Sequence, residues 1–197
     1  MASGLLDGQT DYHSHILPGV DDGIRTLEDA LAALDYAALC GVERIVPTPH
    51  IMEDYPKNRP ATLRVRFDEL FGAYRGPVAL SLAAEYMLDG AFGDWLDSGD
   101  LLPLADGHLL VEVSCAYEPV NLTETAARIN SAGYYAVLAH PERYGYMNMK
   151  NYKTLKARNV RFQLNLPYLT GAYGCDAAAK AIELLKAGYY DLASSDL

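Results

Sequence analysis

The chain has 197 residues, half of them apolar and 21% charged, which is the balance of one globular domain. Sixteen Lys and Arg against 26 Asp and Glu leave a net charge of −10, so its surface repels phosphate backbones and disfavours a general nucleic-acid binder. No apolar run reaches the ~18 residues of a membrane span. No basic-then-apolar leader is visible at the N terminus, and Cys40, Cys115 and Cys175 are too few and too scattered for a disulfide framework, so the expected location is the reducing cytoplasm.

In chain order, a first strand ends at His13. Thr26 and Asp29 form a capping-box pattern that opens a helix over Leu27 to Cys40, with Leu27, Leu31, Leu34 and Ala38 on one stripe. Gly41 is placed to end it with a left-handed residue. A strand over Val42 to Pro47 follows, then a helix from Pro60 to Tyr74 and a strand from Val78 to Ala84. A short helix near Ala91 to Ser98 precedes a strand over Leu109 to Val113. The rhythm continues as helix Leu122 to Ala132 and strand Tyr135 to Ala139, then helix Lys150 to Ala157 and strand Val160 to Leu164. Helix Ala177 to Gly188 and strand Tyr189 to Ala193 complete it. Seven strands alternating with helices predict an α/β fold with a parallel sheet and crossover helices.

The informative feature is where metal-type side chains fall. The strand ends read Asp11-Tyr12-His13-Ser14-His15, Pro47-Thr48-Pro49-His50, Ala84-Glu85, Val111-Glu112, Ala139-His140, Leu164-Asn165 and Ser195-Asp196. Four of the five histidines therefore sit at the C-terminal edge of a predicted parallel strand, where barrel active sites are built. Imidazole and carboxylate together suit Zn, Mn or Fe, and two such metals activate a water for displacement at phosphorus. Each residue alone has a plain alternative. His50 or His140 can be a hydrogen-bonded structural histidine, and Glu85 or Glu112 the first solvated residue past a strand. Asp21-Asp22-Gly23 is a turn by composition, from which Asp22 can also reach a metal. Arg143 can hold phosphate oxygens in a bidentate fork or be a surface or Glu-paired arginine. Their coincidence at one edge favours a metal site. No cysteine begins a C-x5-R loop, since Val46, Asn121 and Ala181 stand six positions on; a cysteine-nucleophile phosphatase is thereby disfavoured.

These residues, together with Gln163-Leu164-Asn165-Leu166 and Leu169-Thr170-Gly171, resemble the polymerase-and-histidinol-phosphatase (PHP) superfamily. Within it they resemble the bacterial metal-dependent tyrosine-protein phosphatases of capsular and exopolysaccharide biosynthesis, over nearly the whole chain. The resemblance implies a distorted (β/α)7 TIM-like barrel with two or three divalent metals at the C-terminal edge. The matching metal positions are His13, His15, Asp22, His50, Glu85, Glu112, His140 and Asp196, with Arg143 and His50 as the catalytic candidates. Mn2+ is the implied metal, with Fe, Zn or Mg as alternatives. The implied substrate is phosphotyrosine on the tail of a polysaccharide-export tyrosine autokinase, attacked by a metal-activated water without a phosphoenzyme. No nucleic acid and no membrane insertion are implied, and a homo-oligomer is left open. Two other functions stay in view: a small-molecule phosphatase such as a histidinol-phosphatase, and a metal-binding but inactive regulatory partner. The second arises because the family's last motif is Asp-x-His, whereas the residues here end at Asp196-Leu197. The expectation is therefore a single domain over 1–197 that is truncated at its C terminus.

Overall fold

A computed structural model describes residues 6–119 and 121–197. The chain runs β1 (Gln9–Ser14), α1 (Leu27–Leu39), β2 (Val42–Pro47), β3 (His50–Ile51), α2 (Pro60–Ala73), β4 (Ala79–Leu80) and β5 (Glu85–Met87). It continues α3 (Phe92–Ser98), β6 (His108–Glu112), α4 (Leu122–Ser131), β7 (Tyr135–Leu138), α5 (Met149–Lys156), β8 (Arg161–Asn165), α6 (Cys175–Lys186) and β9 (Leu192–Ser194). Every strand pairing is parallel. The ladders fall into two groups, β1-β2-β4 and β3-β5-β6-β7-β8-β9.

The expected second strand, Val42 to Pro47, forms as β2 and its line resumes as β3; of the expected third, Val78 to Ala84, only β4 is regular strand, and β5 begins just beyond it. Thr48 and Pro49 separate β2 from β3, and residues 81–84 separate β4 from β5. Pro47 and Pro49 have no N–H to give, so a regular ladder cannot pass them. Their carbonyls still accept from Ala83 N–H (3.0 Å) and Glu85 N–H (3.1 Å), which carries the pairing across the gap. The nine segments thus make seven staves, as the alternation predicts. The last stave returns to the first: Asp196 N–H donates to the His13 carbonyl (2.9 Å), and Ser195 N–H to the Asp11 carboxylate (3.0 Å). This is the distorted seven-stave (β/α) barrel.

Alternation along the staves sorts the core. Val46, Ala83, Leu110, Val137 and Ala139 meet inside the barrel, while Leu109, Val111, Leu138 and Phe162 point outward to join Leu34, Leu63, Ile129 and Leu184 from the helices. Helix α1 is capped as predicted, with Asp29 N–H donating to Thr26 Oγ1 at 3.1 Å. Its buried face is centred on Ala30 and Leu34, and Leu27 is 41% exposed because it lies at the first turn, beyond the sheet.

Buried tyrosines of the core bind backbone groups near the strand ends. Tyr144 OH donates to the Ala139 carbonyl (3.1 Å) and accepts from Val113 N–H (3.3 Å). Tyr152 OH donates to the Pro141 carbonyl (2.9 Å), and Tyr86 OH accepts from Leu102 N–H (2.8 Å). Each phenol satisfies backbone groups that the ends of the ladders leave over, while its ring packs in the core. Cys40, Cys115 and Cys175 are unpaired, and among the described residues no helix is long and apolar enough to cross a membrane.

Candidate metal centre at the barrel mouth

The site is assembled by register. His50 and Glu85 are direct partners across β3 and β5, and Met87 faces Glu112 across β5 and β6, which brings both glutamates to one edge. His13 and His15 are two apart at the end of β1 and share a side of the strand. His140 needs a different device. It follows Ala139, which already faces the barrel interior, so a regular strand would turn it away. Its backbone adopts φ 33°, ψ 56°; this left-handed conformation breaks the alternation and lets the ring reach the same interior. Asp196 likewise has φ 55°. For residues with a Cβ this conformation is costly, and it is concentrated where side chains are aimed rather than packed.

Glu85, fully buried, is the hub. Its Oε2 lies 3.3, 3.4 and 3.1 Å from nitrogens of His13, His15 and His50, and its Oε1 lies 3.1 Å from His140 Nε2. His13 Nε2 and His15 Nε2 are 3.2 Å apart, and both reach Asp196 Oδ1, at 3.1 and 3.3 Å. On the other side, His50 Nδ1 is 3.0 Å from Glu112 Oε1, and His50 Nε2 is 3.4 Å from Asp22 Oδ1. All eight residues predicted as metal positions are thus brought together. Asp22 is the outlying member, with its side chain 71% exposed.

Two residues that the sequence offered only as members of motifs, with no role of their own, decide which nitrogens face inward. Gln163 Oε1 accepts from the His140 backbone N–H (3.1 Å), which identifies it as the amide oxygen; His13 Nδ1, 3.1 Å away, therefore carries its proton. Asp21 Oδ2 lies 3.0 Å from His15 Nδ1, so that nitrogen is also the protonated one. The Nε2 lone pairs of both rings then converge on the same point. Carboxylate– or carbonyl–imidazole pairs of this kind fix metal-binding tautomers. Asp21 also accepts from His50 N–H (3.1 Å) and Gly23 N–H (3.1 Å). This tuck requires glycine at 23, since a Cβ there would sit 2.2 Å from the His15 carbonyl oxygen. Asn165 orients Asp196 from β8 through its Oδ2. Gln163 and Asn165 are legible as a strand-end motif, but which atoms their amides meet is not.

The donor set fits divalent metal. Tetrahedral or octahedral ligands at ~2.0–2.2 Å stand about 3 to 3.5 Å from one another, and the spacings among His13, His15, Glu85 and Asp196 run from 3.1 to 3.4 Å. Glu85 Oε2 and His50 Nδ1 are buried and close to one another at 3.1 Å, yet neither makes an aligned hydrogen bond, a costly state unless a cation meets them. Three clusters of possible ligands overlap here: His13, His15 and Asp196; His15, Asp22 and His50; and His50, Glu85 and Glu112. The field is strongly negative. Burial opposes charge on His50, but Glu112 and Glu85 outweigh it and raise its pKa to about 10. Burial is likewise outweighed at His15 by Asp196, Asp21 and Glu85, so its pKa is raised. Burial would raise the pKa of Glu85, but the surrounding imidazoles hold it well below the usual carboxylate range.

A cleft of about 340 Å3 opens over the cluster, lined by His15, Asp22, His50, His140, Arg143 and Tyr173 among others. Arg143 is exposed in it and makes no ion pair among the described residues. The neighbouring Glu142 is turned inward, accepting from Asn165 N–H and Tyr190 OH, both at 2.8 Å, so the Glu-paired alternative for Arg143 does not arise. Lys180 of α6 holds the turn beyond Arg143 by donating to the carbonyls of Tyr144 (2.6 Å) and Met147 (3.1 Å). Tyr55 stacks on His50 with centroids 5.8 Å apart.

Asp21→Asn keeps an acceptor for His15 but removes a charge from behind it. Metal affinity measured by competition with a chelating dye is expected to fall about 10- to 100-fold, with the fold retained. Unchanged affinity would reduce Asp21 to a turn residue.

A family described as capsular polysaccharide synthesis, CpsB/CapC, matches residues 9–197. The tyrosine-protein phosphatase YwqE of Bacillus subtilis (strain 168) is 28% identical over 192 residues, covering 94% of this chain and 76% of the relative. A crystal structure from work on YwqE of Bacillus subtilis and CpsB of Streptococcus pneumoniae, metal-dependent tyrosine phosphatases, matches with TM-score 0.86 and 27% identity, over 95% of this chain and 78% of that one. The phosphotriesterase homology protein of Escherichia coli shares the fold alone, with TM-score 0.59 and 12% identity, over 98% of this chain and 83% of that one.

Proposed function

Since this chain belongs to the capsular polysaccharide synthesis CpsB/CapC family, we propose that it is a metal-dependent protein-tyrosine phosphatase, a phosphoric monoester hydrolase. The observation that carries the reading is Glu85 buried among four imidazoles, with the unpaired Arg143 at the rim of the same cleft. His13, His15, Glu85 and Asp196 would hold one metal, and His50, Glu112 and His140, with Glu85 shared, a second. Asp22 with His15 and His50 offers a third place. Divalent ions bound there supply an activated water and neutralise charge on the phosphoryl group.

The chain's own side chains do the rest. Arg143 binds two phosphoryl oxygens through its guanidinium fork. His50 turns both ring nitrogens to carboxylates, Nδ1 to Glu85 and Glu112 and Nε2 to Asp22, which suits a ligand better than a mobile proton carrier. His13 and His15 also have both ring nitrogens engaged, and His140 meets Glu85 through Nε2 with Nδ1 buried, so none of these four imidazoles stands free in the cleft to protonate a leaving group. That favours an aryl phosphate, whose phenol has a pKa of ~10, over an alkyl ester such as histidinol phosphate. Tyr173 lines the opening, and Tyr55 stacks on His50, itself a lining residue; aromatic rings there suit an aromatic substrate.

Nitrogen and oxygen donors with no thiolate in the cluster suit manganese, the metal we assign, with iron, zinc or magnesium as substitutes. We propose as substrate the phosphotyrosine tail of a cytoplasmic-facing autokinase that controls polysaccharide export. Turnover of a tyrosine phosphopeptide is expected to vanish on chelation, return with added Mn2+, and exceed turnover of histidinol phosphate at least about tenfold. Turnover that survives chelation overturns the metal mechanism, and a preference for histidinol phosphate overturns the substrate class.

A further inference from the structure

Beside the metal-type cluster lies a larger groove, about 620 Å3, to which nothing above assigns a role. Its walls are the segments that leave the staves carrying His50, Glu85 and Glu112. They begin at Met52, Met87 and Ser114, in each case two positions past the candidate ligand. The groove is therefore a lateral continuation of the barrel mouth. A peptide whose phosphotyrosine reaches the metals must lay its neighbouring residues on one side of the mouth or another, and this side is recessed to receive them.

The lining has two characters. Met52, Met87, Leu122 and Tyr117 offer an apolar surface, with the Tyr117 ring 71% exposed, and methionine adapts to varied partners. Glu53, Asp54 and Asp89 add three carboxylates, and no Lys or Arg is among the lining residues. The wall is built rather than loose. Asp89 accepts from Glu53 N–H (2.8 Å) and Ala91 N–H (3.0 Å), tying the two loops together. The adjoining cleft has the opposite sign at its rim, where Arg143 stands. Two neighbouring recesses thus offer a cation for phosphate in one and carboxylates over an apolar floor in the other.

We infer that this groove docks the polypeptide flanking the phosphotyrosine and selects segments that carry Lys or Arg beside apolar residues. The inference rests on the phosphatase reading above and adds to it a sequence preference. Acidic flanks meet like charge in the groove, whereas basic flanks pair with Glu53, Asp54 and Asp89 while their aliphatic stems cover the methionines.

The test compares three phosphotyrosine peptides of equal length with Lys, Ala or Glu flanks, and p-nitrophenyl phosphate, on the Mn2+-loaded protein and on a Glu53→Gln/Asp54→Asn variant. Both substituted positions are exposed. For the unsubstituted protein, kcat/KM is expected to be at least about fivefold higher with Lys flanks than with Ala flanks, and lower still with Glu flanks. The preference should shrink to about twofold or less in the variant and in ~0.5 M salt, with p-nitrophenyl phosphate turnover unchanged. Equal kcat/KM for all three peptides overturns the docking inference and leaves the phosphatase reading standing. A preference that survives the double substitution also overturns it, by placing selectivity outside the groove. Failure to hydrolyse any of the four substrates with metal bound overturns the phosphatase reading instead.

Discussion

Glu85→Gln is expected to cut turnover of a tyrosine phosphopeptide by about a thousandfold or more, roughly 4 kcal/mol of transition-state stabilisation. The reason is its position. One carboxylate oxygen lies within 3.4 Å of three imidazoles, and the other meets a fourth. Its two oxygens together reach all four imidazoles of the mouth. The amide keeps the shape but loses the charge, and its N–H2 group would point a donor at nitrogens that need a cation. Metal content by plasma emission spectroscopy should fall with activity. In the metal-free protein the same change removes the counter-charge from His13, which is wholly buried. Breaking a buried pair costs about 3–5 kcal/mol, so the urea midpoint after chelation should fall as well. Near-normal turnover with full metal content would remove Glu85 from the centre.

Arg143→Ala should lower kcat/KM for phosphotyrosine by about 10²- to 10³-fold, as expected when a preorganised charge on a transferring phosphoryl group is removed. Arg143 is exposed in the cleft and pairs with no carboxylate among the described residues. Its truncation therefore leaves no buried partner uncompensated, and stability and metal content should stay near normal. Arg143→Lys should recover only part of the loss, because an ammonium cannot make the two parallel hydrogen bonds of the fork. Loss of metal in Arg143→Ala would reassign the residue to structure. Intact activity would leave the phosphate without an identified cation from the protein.

The two substitutions probe different layers of what is legible. Alternating apolar runs and capped helices are local signals, so the seven staves and six of the crossover helices could be read directly. Seven of the eight ligand-type residues could be read as well, because they stand at the ends of apolar strands and a parallel barrel brings all such ends to one rim; Asp22 lies in the turn between β1 and α1 and was legible as a ligand position only through the family resemblance. Pro47 and Pro49 mark the first break in the sequence itself, whereas nothing in the composition of 81–84 marks the second, where Ser81 and Ala83 N–H still donate to the Ile45 and Pro47 carbonyls.

What the sequence by itself determined is therefore the periodicity, the caps and the chemical type at every strand end, since these depend on neighbours three or four positions away. Only the tertiary structure decided which atoms face one another. Gln163 is 150 positions from His13, and it fixes that ring's tautomer through a single oxygen it shares with the His140 backbone. Asp21 was legible as part of a turn, yet it became the partner of His15 because Gly23 allows the loop to press against β1. The left-handed backbone at His140 turns a side chain that strand alternation would have sent outward. The Gln163 contact depends on closure of the barrel. Until the last stave meets the first, the charges at the strand ends have no common centre.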